Sequence, residues 1–185
     1  MCRRAGPTTA LDAWSQCMKR VVVIGSGGSG KSTFARELAE ITGLPVIHLD
    51  TVFWRPDWEP TPKDEWKAQV EQMVKADEWI MDGNFGGTRE IRMQAADTII
   101  MLDLPRWLCM YRVVERAITY RGRRRPDMAE GCNEKLDWDF IIWVWNYRKQ
   151  SGTRAFAEIE KLRDKQVIIL RSPREVEEFL SDQRR

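Results

Sequence analysis

The stretch Gly25-Ser26-Gly27-Gly28-Ser29-Gly30-Lys31-Ser32 is the best equipped for chemistry, since it satisfies the pattern G-x-x-x-x-G-K-[ST] at every fixed position. Its glycines allow positive φ and close approach to a ligand, so successive backbone amides can converge on phosphate oxygens. A helix starting near Lys31 would add about half a positive charge at its N-terminus, aimed at the same anion. Lys31 would reach the β and γ phosphates, and the Ser32 hydroxyl would ligate Mg²⁺. With Thr33, the stretch forms the expected binding segment for a nucleoside triphosphate. A glycine-rich turn that merely linked a strand to a helix would have no need of the Gly-Lys-Ser ending.

Carboxylates at the ends of apolar runs are the next candidates. Asp82 follows Trp79-Ile80-Met81, where it can hold Mg²⁺ directly or through water; a plain turn aspartate before Gly83 is the other reading. Asp50 follows Val46-Ile47-His48-Leu49, a place suited to orienting an acceptor hydroxyl or taking its proton, or to capping a turn. Asp103, before Leu104-Pro105, reads as structural.

Arginines form the second informative set. Arg112 and Arg116 share a helix face that leads into Arg121-Gly122-Arg123-Arg124-Arg125-Pro126. Beyond a phosphate-binding loop this cluster suits a lid, in which Arg123 and Arg124 stabilise charge on a transferring group. A solvated basic loop and a nucleic-acid contact are the alternatives, and neither explains why the cluster accompanies the glycine-rich loop. Phe53, Trp54 and Trp58 lie in a Pro-interrupted segment after Asp50, where they could stack on a flat acceptor or wall the pocket against water. Phe140, Trp143 and Trp145 read as helix packing, as do Trp66 and Trp107.

Short apolar strands must position these residues. They are expected at 21–24, 46–49, 79–81, 98–102 and 167–170, alternating with helices, a pattern that implies a parallel sheet covered on both faces. Helices are expected at 63–74, with Thr61 as N-cap, at about 89–95, 105–120, and 136–164 with a bend near Ser151-Gly152. A last helix opens on the capping box Ser172-Pro173-Arg174-Glu175. Ligands in such sheets sit beyond the carboxyl ends of the strands, where Gly25, Asp50 and Asp82 all fall.

Composition bounds the rest. A chain of 185 residues with 43% hydrophobic and 31% charged residues suits one soluble domain, and a net charge of +2 argues against a polyanion spread over the whole surface. Four cysteines without C-x-x-C spacing and a single histidine, His48, argue against a structural zinc site and for a reducing compartment. No signal-peptide run or bilayer-length apolar stretch occurs, so the expected location is cytoplasmic, with no membrane partner. Residues 1–17 read as a peripheral extension, Met18 as a possible true start, and 18–185 as one domain.

Together, the glycine-rich loop after Lys19-Arg20-Val21, His48-Leu49-Asp50 with Phe53-Trp54, Asp82-Gly83-Asn84-Phe85, the arginine cluster and Leu170-Arg171-Ser172-Pro173-Arg174 resemble the DNA topology modulation (FlaR) family, a branch of the adenylate kinase-like P-loop kinases. The resemblance implies a three-layer α/β P-loop NTPase fold with a five-stranded parallel sheet in the order 2-3-1-4-5 and a short lid at about 121–135. It implies ATP as cofactor with Mg²⁺, a small-molecule or nucleotide acceptor, and Ser172, Pro173 and Arg174 wrapping the adenine. Adenylate kinases carry Asp-Gly-Phe-Pro-Arg where this chain has Asp82-Gly83-Asn84-Phe85-Gly86, so Asn84, Arg89 and Arg92 are acceptor-binding candidates by proximity only. A nucleotide-regulated DNA-associated protein and an ATPase without an acceptor are the competing expectations.

Overall fold

A computed structural model describes residues 18–122, 128–132 and 137–184. Five parallel strands form the central sheet: β1 (Arg20–Gly25), β2 (Val46–His48), β5 (Trp79–Asp82), β6 (Thr98–Leu102) and β7 (Gln166–Leu170). Their spatial order is β2-β5-β1-β6-β7, which is the expected 2-3-1-4-5 once these five are numbered by themselves.

The apolar runs are continuous because the sheet is covered on both sides, with successive side chains pointing to opposite faces. Val21, Val23, Ile80 and Ile100 face a core shared with Phe34 and Leu38 of α1 (Lys31–Thr42) and with Phe179 and Leu180 of α8 (Pro173–Gln183). Val22, Ile24, Met81 and Ile99 face the other core, with Met93 of α4 (Gly86–Ala95) and with Ala155 and Ile159 of α7 (Ser151–Ile159). This alternation builds three layers from one sheet.

Several boundaries differ from the sequence expectation. The second strand stops at His48, and Leu49–Phe53 forms a one-turn helix, α2, so Asp50 lies in its first turn. The segment expected as a loop folds into a tiny hairpin, β3 (Trp54–Arg55) and β4 (Glu59–Pro60), around a turn with Asp57 and Trp58 both at φ 63°. Thr61 does not cap α3 (Lys63–Met73): its hydroxyl donates to the Phe53 carbonyl at 2.6 Å, closing the hairpin, and Pro62 takes the N-cap position. α5 spans Arg106–Thr119. The long helical region divides into α6 (Trp138–Asn146), a 3₁₀ turn and α7, the break falling at Gln150 beside the expected bend. Half of the expected capping box forms: Glu175 N–H donates to Ser172 Oγ at 3.2 Å, while the Glu175 carboxylate accepts from Ser172 Oγ–H at 3.1 Å and from the Arg171 N–H, one residue before the cap, at 2.8 Å. Residues 1–17, most of the lid span, and with it Arg123 and Arg124, lie outside the described residues.

Candidate active site

A cleft of about 770 Å³ opens beyond the carboxyl ends of β1, β2 and β5. The glycine-rich loop forms one side through Gly27, Gly28, Gly30, Lys31, Ser32 and Thr33, and Asp50, Trp54, Trp58 and Phe85 stand among the other lining groups. Gly28 has φ 74°, and a Cβ there would run into the carbonyl of Cys109 at close range. Only glycine meets both conditions, so α5 can pack directly under the loop. Gly25 is constrained as well: at φ 155° its added Cβ would lie 2.6 Å from the Leu102 carbonyl. Lys31 folds back to donate to the Ser26 carbonyl at 3.0 Å, leaving its ammonium at the loop it is expected to serve. Arg112 Nη1 reaches the Ser29 carbonyl at 3.5 Å, and Arg116 sits 5.7 Å from the Phe140 ring centre. Both arginines line the cleft, as the helix-face spacing led us to expect.

Asn84 holds the loop to the turn after β5. Gly25 N–H donates to Asn84 Oδ1 at 3.2 Å, Asn84 Nδ2 donates to the Gly25 carbonyl at 2.6 Å, and the Tyr147 hydroxyl donates to the same Oδ1 at 3.2 Å. Its amide therefore positions the first peptide of the loop, and Asn84 also stands in the lining of the cleft. Asn84→Ala is expected to raise the Kd for the Mg²⁺–triphosphate complex by about tenfold, ~1.4 kcal/mol, as two hydrogen bonds to Gly25 are lost; calorimetry measures it.

The two arginine candidates for the acceptor are committed elsewhere. Arg89 is buried and grips Glu158 in a bidentate pair at 2.6 and 2.8 Å. Arg92 is wholly buried and donates to the carbonyls of Gly83 at 2.9 Å and Asn84 at 2.6 Å, fixing the turn. Burial pulls the Arg92 guanidinium down to about 9, with the neighbouring Arg89 charge acting in the same direction and Asp82 and Glu158 opposing. Neither arginine lines the cleft. Ser172, Pro173 and Arg174 also stand outside its lining: Ser172 is used by the capping box, and Arg174 pairs with Glu178 at 2.7 Å on the surface. Phe53 packs edge-on to Trp54 and Trp66 and against Phe85, behind the lining rather than in it.

Asp82 lies under the cleft, 4% exposed, with Oδ2 at 3.0 Å from His48 Nδ1 and Oδ1 without a hydrogen-bond partner. Ser32 faces the cleft itself. A carboxylate oxygen without a partner and a serine hydroxyl in the cleft lining are both ligand types that suit Mg²⁺, which takes few protein ligands and keeps several waters. Among the described residues no group of three histidine, cysteine or acidic side chains could cage a metal. Asp103 stands outside the cleft lining; burial pushes its carboxyl up, and Arg148 at 3.3 Å opposes that shift. Burial also pushes the Cys109 thiol up, which argues against a nucleophilic role.

Several lining residues were not legible beforehand. Phe140 and Trp143 of α6, read as packing, also wall the cleft, and Tyr120 and Met128 join them. Met128, Ala129 and Cys132 cluster with Trp54 and Trp58, and the Cys132 thiol donates to the Arg55 carbonyl at 3.2 Å, so part of the expected lid closes against the hairpin. Arg36 lines the cleft from α1, and no partner holds its guanidinium among the described residues. Helical side chains lean toward the N-terminus, which carries Arg36 back toward Ser32, one turn earlier on the same face.

A glycine-rich loop between the first strand and helix of a parallel 2-3-1-4-5 sheet, with helices on both faces, gives this chain a three-layer α/β fold of the P-loop type. No family model matches it. An adenylate kinase of Thermosipho melanesiensis is 28% identical over 106 residues, 56% of this chain and 48% of that protein, so the chain spans about half the length of the curated relative it matches. Among solved structures, a shikimate kinase of Bacteroides thetaiotaomicron aligns with TM-score 0.53 and 15% identity, covering 89% of this chain and 96% of that one. A gluconokinase of Sinorhizobium meliloti aligns with TM-score 0.49 and 16% identity, covering 89% of each chain. No helix among the described residues is long and apolar enough to cross a membrane.

Proposed function

We propose that this protein is a phosphotransferase that moves the γ-phosphoryl group of ATP to a hydroxyl- or phosphate-bearing small molecule with the help of Mg²⁺. The observation that carries the reading is the composition of a single cleft: the phosphate loop with Lys31 contributes to it together with a carboxylate, Asp50, and two tryptophans on separate elements, which leaves room for a second compound beside the triphosphate.

The residues would divide the work as follows. Amides of Gly25 to Thr33 and Lys31 bind the phosphates, and Arg112 and Arg116 neutralise charge along them. Mg²⁺, held by Ser32 and reached from Asp82, would offset charge on the β and γ oxygens. Asp50 orients the acceptor hydroxyl and takes its proton as the bond to phosphorus forms. Trp54, Trp58 and Phe140 keep water from the transferring group. Arg123 and Arg124 complete the site as lid arginines.

Arg36 bears on the acceptor. A cleft cation with no partner among the described residues suits an acceptor that carries an anionic group, a phosphate or a carboxylate. Arg36→Gln should then raise KM for such an acceptor by about 10- to 100-fold, equivalent to one charged hydrogen bond, and leave KM for ATP unchanged. Steady-state kinetics with each substrate varied in turn separates the two.

The direct test is ADP production by the purified protein with ATP, Mg²⁺ and a panel of nucleoside monophosphates, nucleosides and small hydroxy acids and sugars. Stimulation by one class identifies the acceptor; ADP release that no acceptor alters points to a plain ATPase. Within the kinase-like class we place the chain near the DNA topology modulation (FlaR) branch on the five segments named above. A nucleotide-regulated DNA-associated role, as that label suggests, requires duplex binding whose log affinity falls with log salt at about −0.9 per phosphate neutralised.

A further inference from the structure

Eight large hydrophobic side chains are strongly exposed among the described residues, and seven of them sit on two neighbouring helices. On α5 they are Trp107, Tyr111, Val114 and Ile118, and on α6 Trp138, Ile142 and Trp145. Each set recurs at helical spacing of three and four residues, so each forms one stripe. The helices run antiparallel: Arg106 at the start of α5 stacks on Trp145 near the end of α6 at 4.6 Å, and Arg116 near the end of α5 lies 5.7 Å from Phe140 near the start of α6. The Arg106 contact also joins the two stripes at that end.

Exposure at these positions runs from 38% to 71%. With large aromatic side chains worth about 200 Å² each, the patch presents on the order of 700 Å² of apolar surface. A typical monomer's largest apolar patch is about 300–600 Å², whereas one side of a standard protein interface is about 800 Å².

We propose that this face pairs with a second copy of the chain in a two-fold dimer, α5 against α5 in antiparallel orientation with α6 flanking. The spacing supports a self-complementary partner. Positions 107, 111, 114 and 118 are separated by four, three and four residues, a sequence of steps that reads the same in either direction. A two-fold axis through the middle of α5 therefore sets Trp107 against Ile118 of the partner subunit and Tyr111 against Val114 of the partner subunit, as an isologous contact requires. The opposite faces of the same helices bring Arg112, Arg116, Phe140 and Trp143 to the cleft, so the dimer would brace the wall of the nucleotide site from behind. The proposal does not depend on the kinase reading.

Sedimentation velocity of the full chain at micromolar concentration tests it, with Ile118→Glu and Trp107→Glu as comparison variants; both positions are exposed, so circular dichroism is expected to be unchanged. Wild type should sediment at twice the chain mass and both variants at the chain mass. A second measurement uses Trp107→Cys combined with Ile118→Cys in a Cys2→Ser, Cys17→Ser background, where mild oxidation should give a disulfide-linked dimer that either single cysteine variant fails to give. A monomeric wild type overturns the proposal. So does a dimer that persists in Ile118→Glu, one that forms only after residues 1–17 are removed, or a monomer that pellets with anionic lipid vesicles.

Discussion

Lys31→Ala is expected to abolish measurable phosphoryl transfer, lowering kcat by about 10²–10³ or more, the cost of removing one preorganised cation aimed at developing charge. The fold should survive. Lys31 contributes one hydrogen bond to its own loop, to the Ser26 carbonyl, and lies outside both sheet cores. Its loss should change unfolding free energy by no more than about 0.5 kcal/mol, as for a typical partly exposed position. Paired measurements of ADP production and thermal unfolding separate the two effects: a variant that turns over normally refutes the assignment of the loop, and a variant that fails to fold moves Lys31 into the structural class.

Asp50→Asn should have the next largest effect. If Asp50 takes the acceptor proton, removing its basicity while keeping its shape costs about 10²–10⁴ in kcat, the span assigned to general-base catalysis. ATP affinity should be untouched, because the loop and Lys31 are unaltered. The chemistry of the acceptor tunes the size of the loss: an acceptor whose reacting oxygen is already ionised, such as a phosphate, needs no base and would show a much smaller kcat change with a raised KM. The kcat-to-KM split for this variant thus reports the class of acceptor as well as the role of the residue.

The parts of this account that were legible in the sequence share a physical property: their signals are local. The glycine-rich loop is written in eight consecutive residues, and the strands are short enough that apolar runs alone mark them. The Ser172 cap on Glu175 N–H forms as its spacing dictates. What was not legible depends on partners far along the chain. Arg89 was set beside the acceptor by its nearness to Asp82 in sequence, yet its partner, Glu158, is 69 residues away. Arg92 serves carbonyl groups, which carry no sequence signal at all. Asn84, a cleft-lining residue, takes its partners from Gly25, 59 residues before it, and Tyr147, 63 residues after it.

α6 illustrates a different limit. Trp138-Asp139-Phe140-Ile141-Ile142-Trp143-Val144-Trp145 is apolar nearly all round, so periodicity could not say which face meets the core. In the structure Val144 packs under the loop, Phe140 and Trp143 reach the cleft, and Trp138, Ile142 and Trp145 face outward. The hairpin at 54–60 was obscured by Pro56 and by two non-glycine residues in left-handed conformation, a costly backbone sustained by contacts of Trp58 with Trp54 and the Met128 cluster.

The central claim is that the amides between Gly25 and Thr33 cradle a triphosphate, and isothermal calorimetry of the folded full chain with ATP at millimolar Mg²⁺ addresses it most directly. Saturable one-to-one binding is expected, and it should disappear in Gly28→Val, whose side chain would collide with the Cys109 carbonyl. Correctly folded wild-type protein that takes up no triphosphate under those conditions would contradict it.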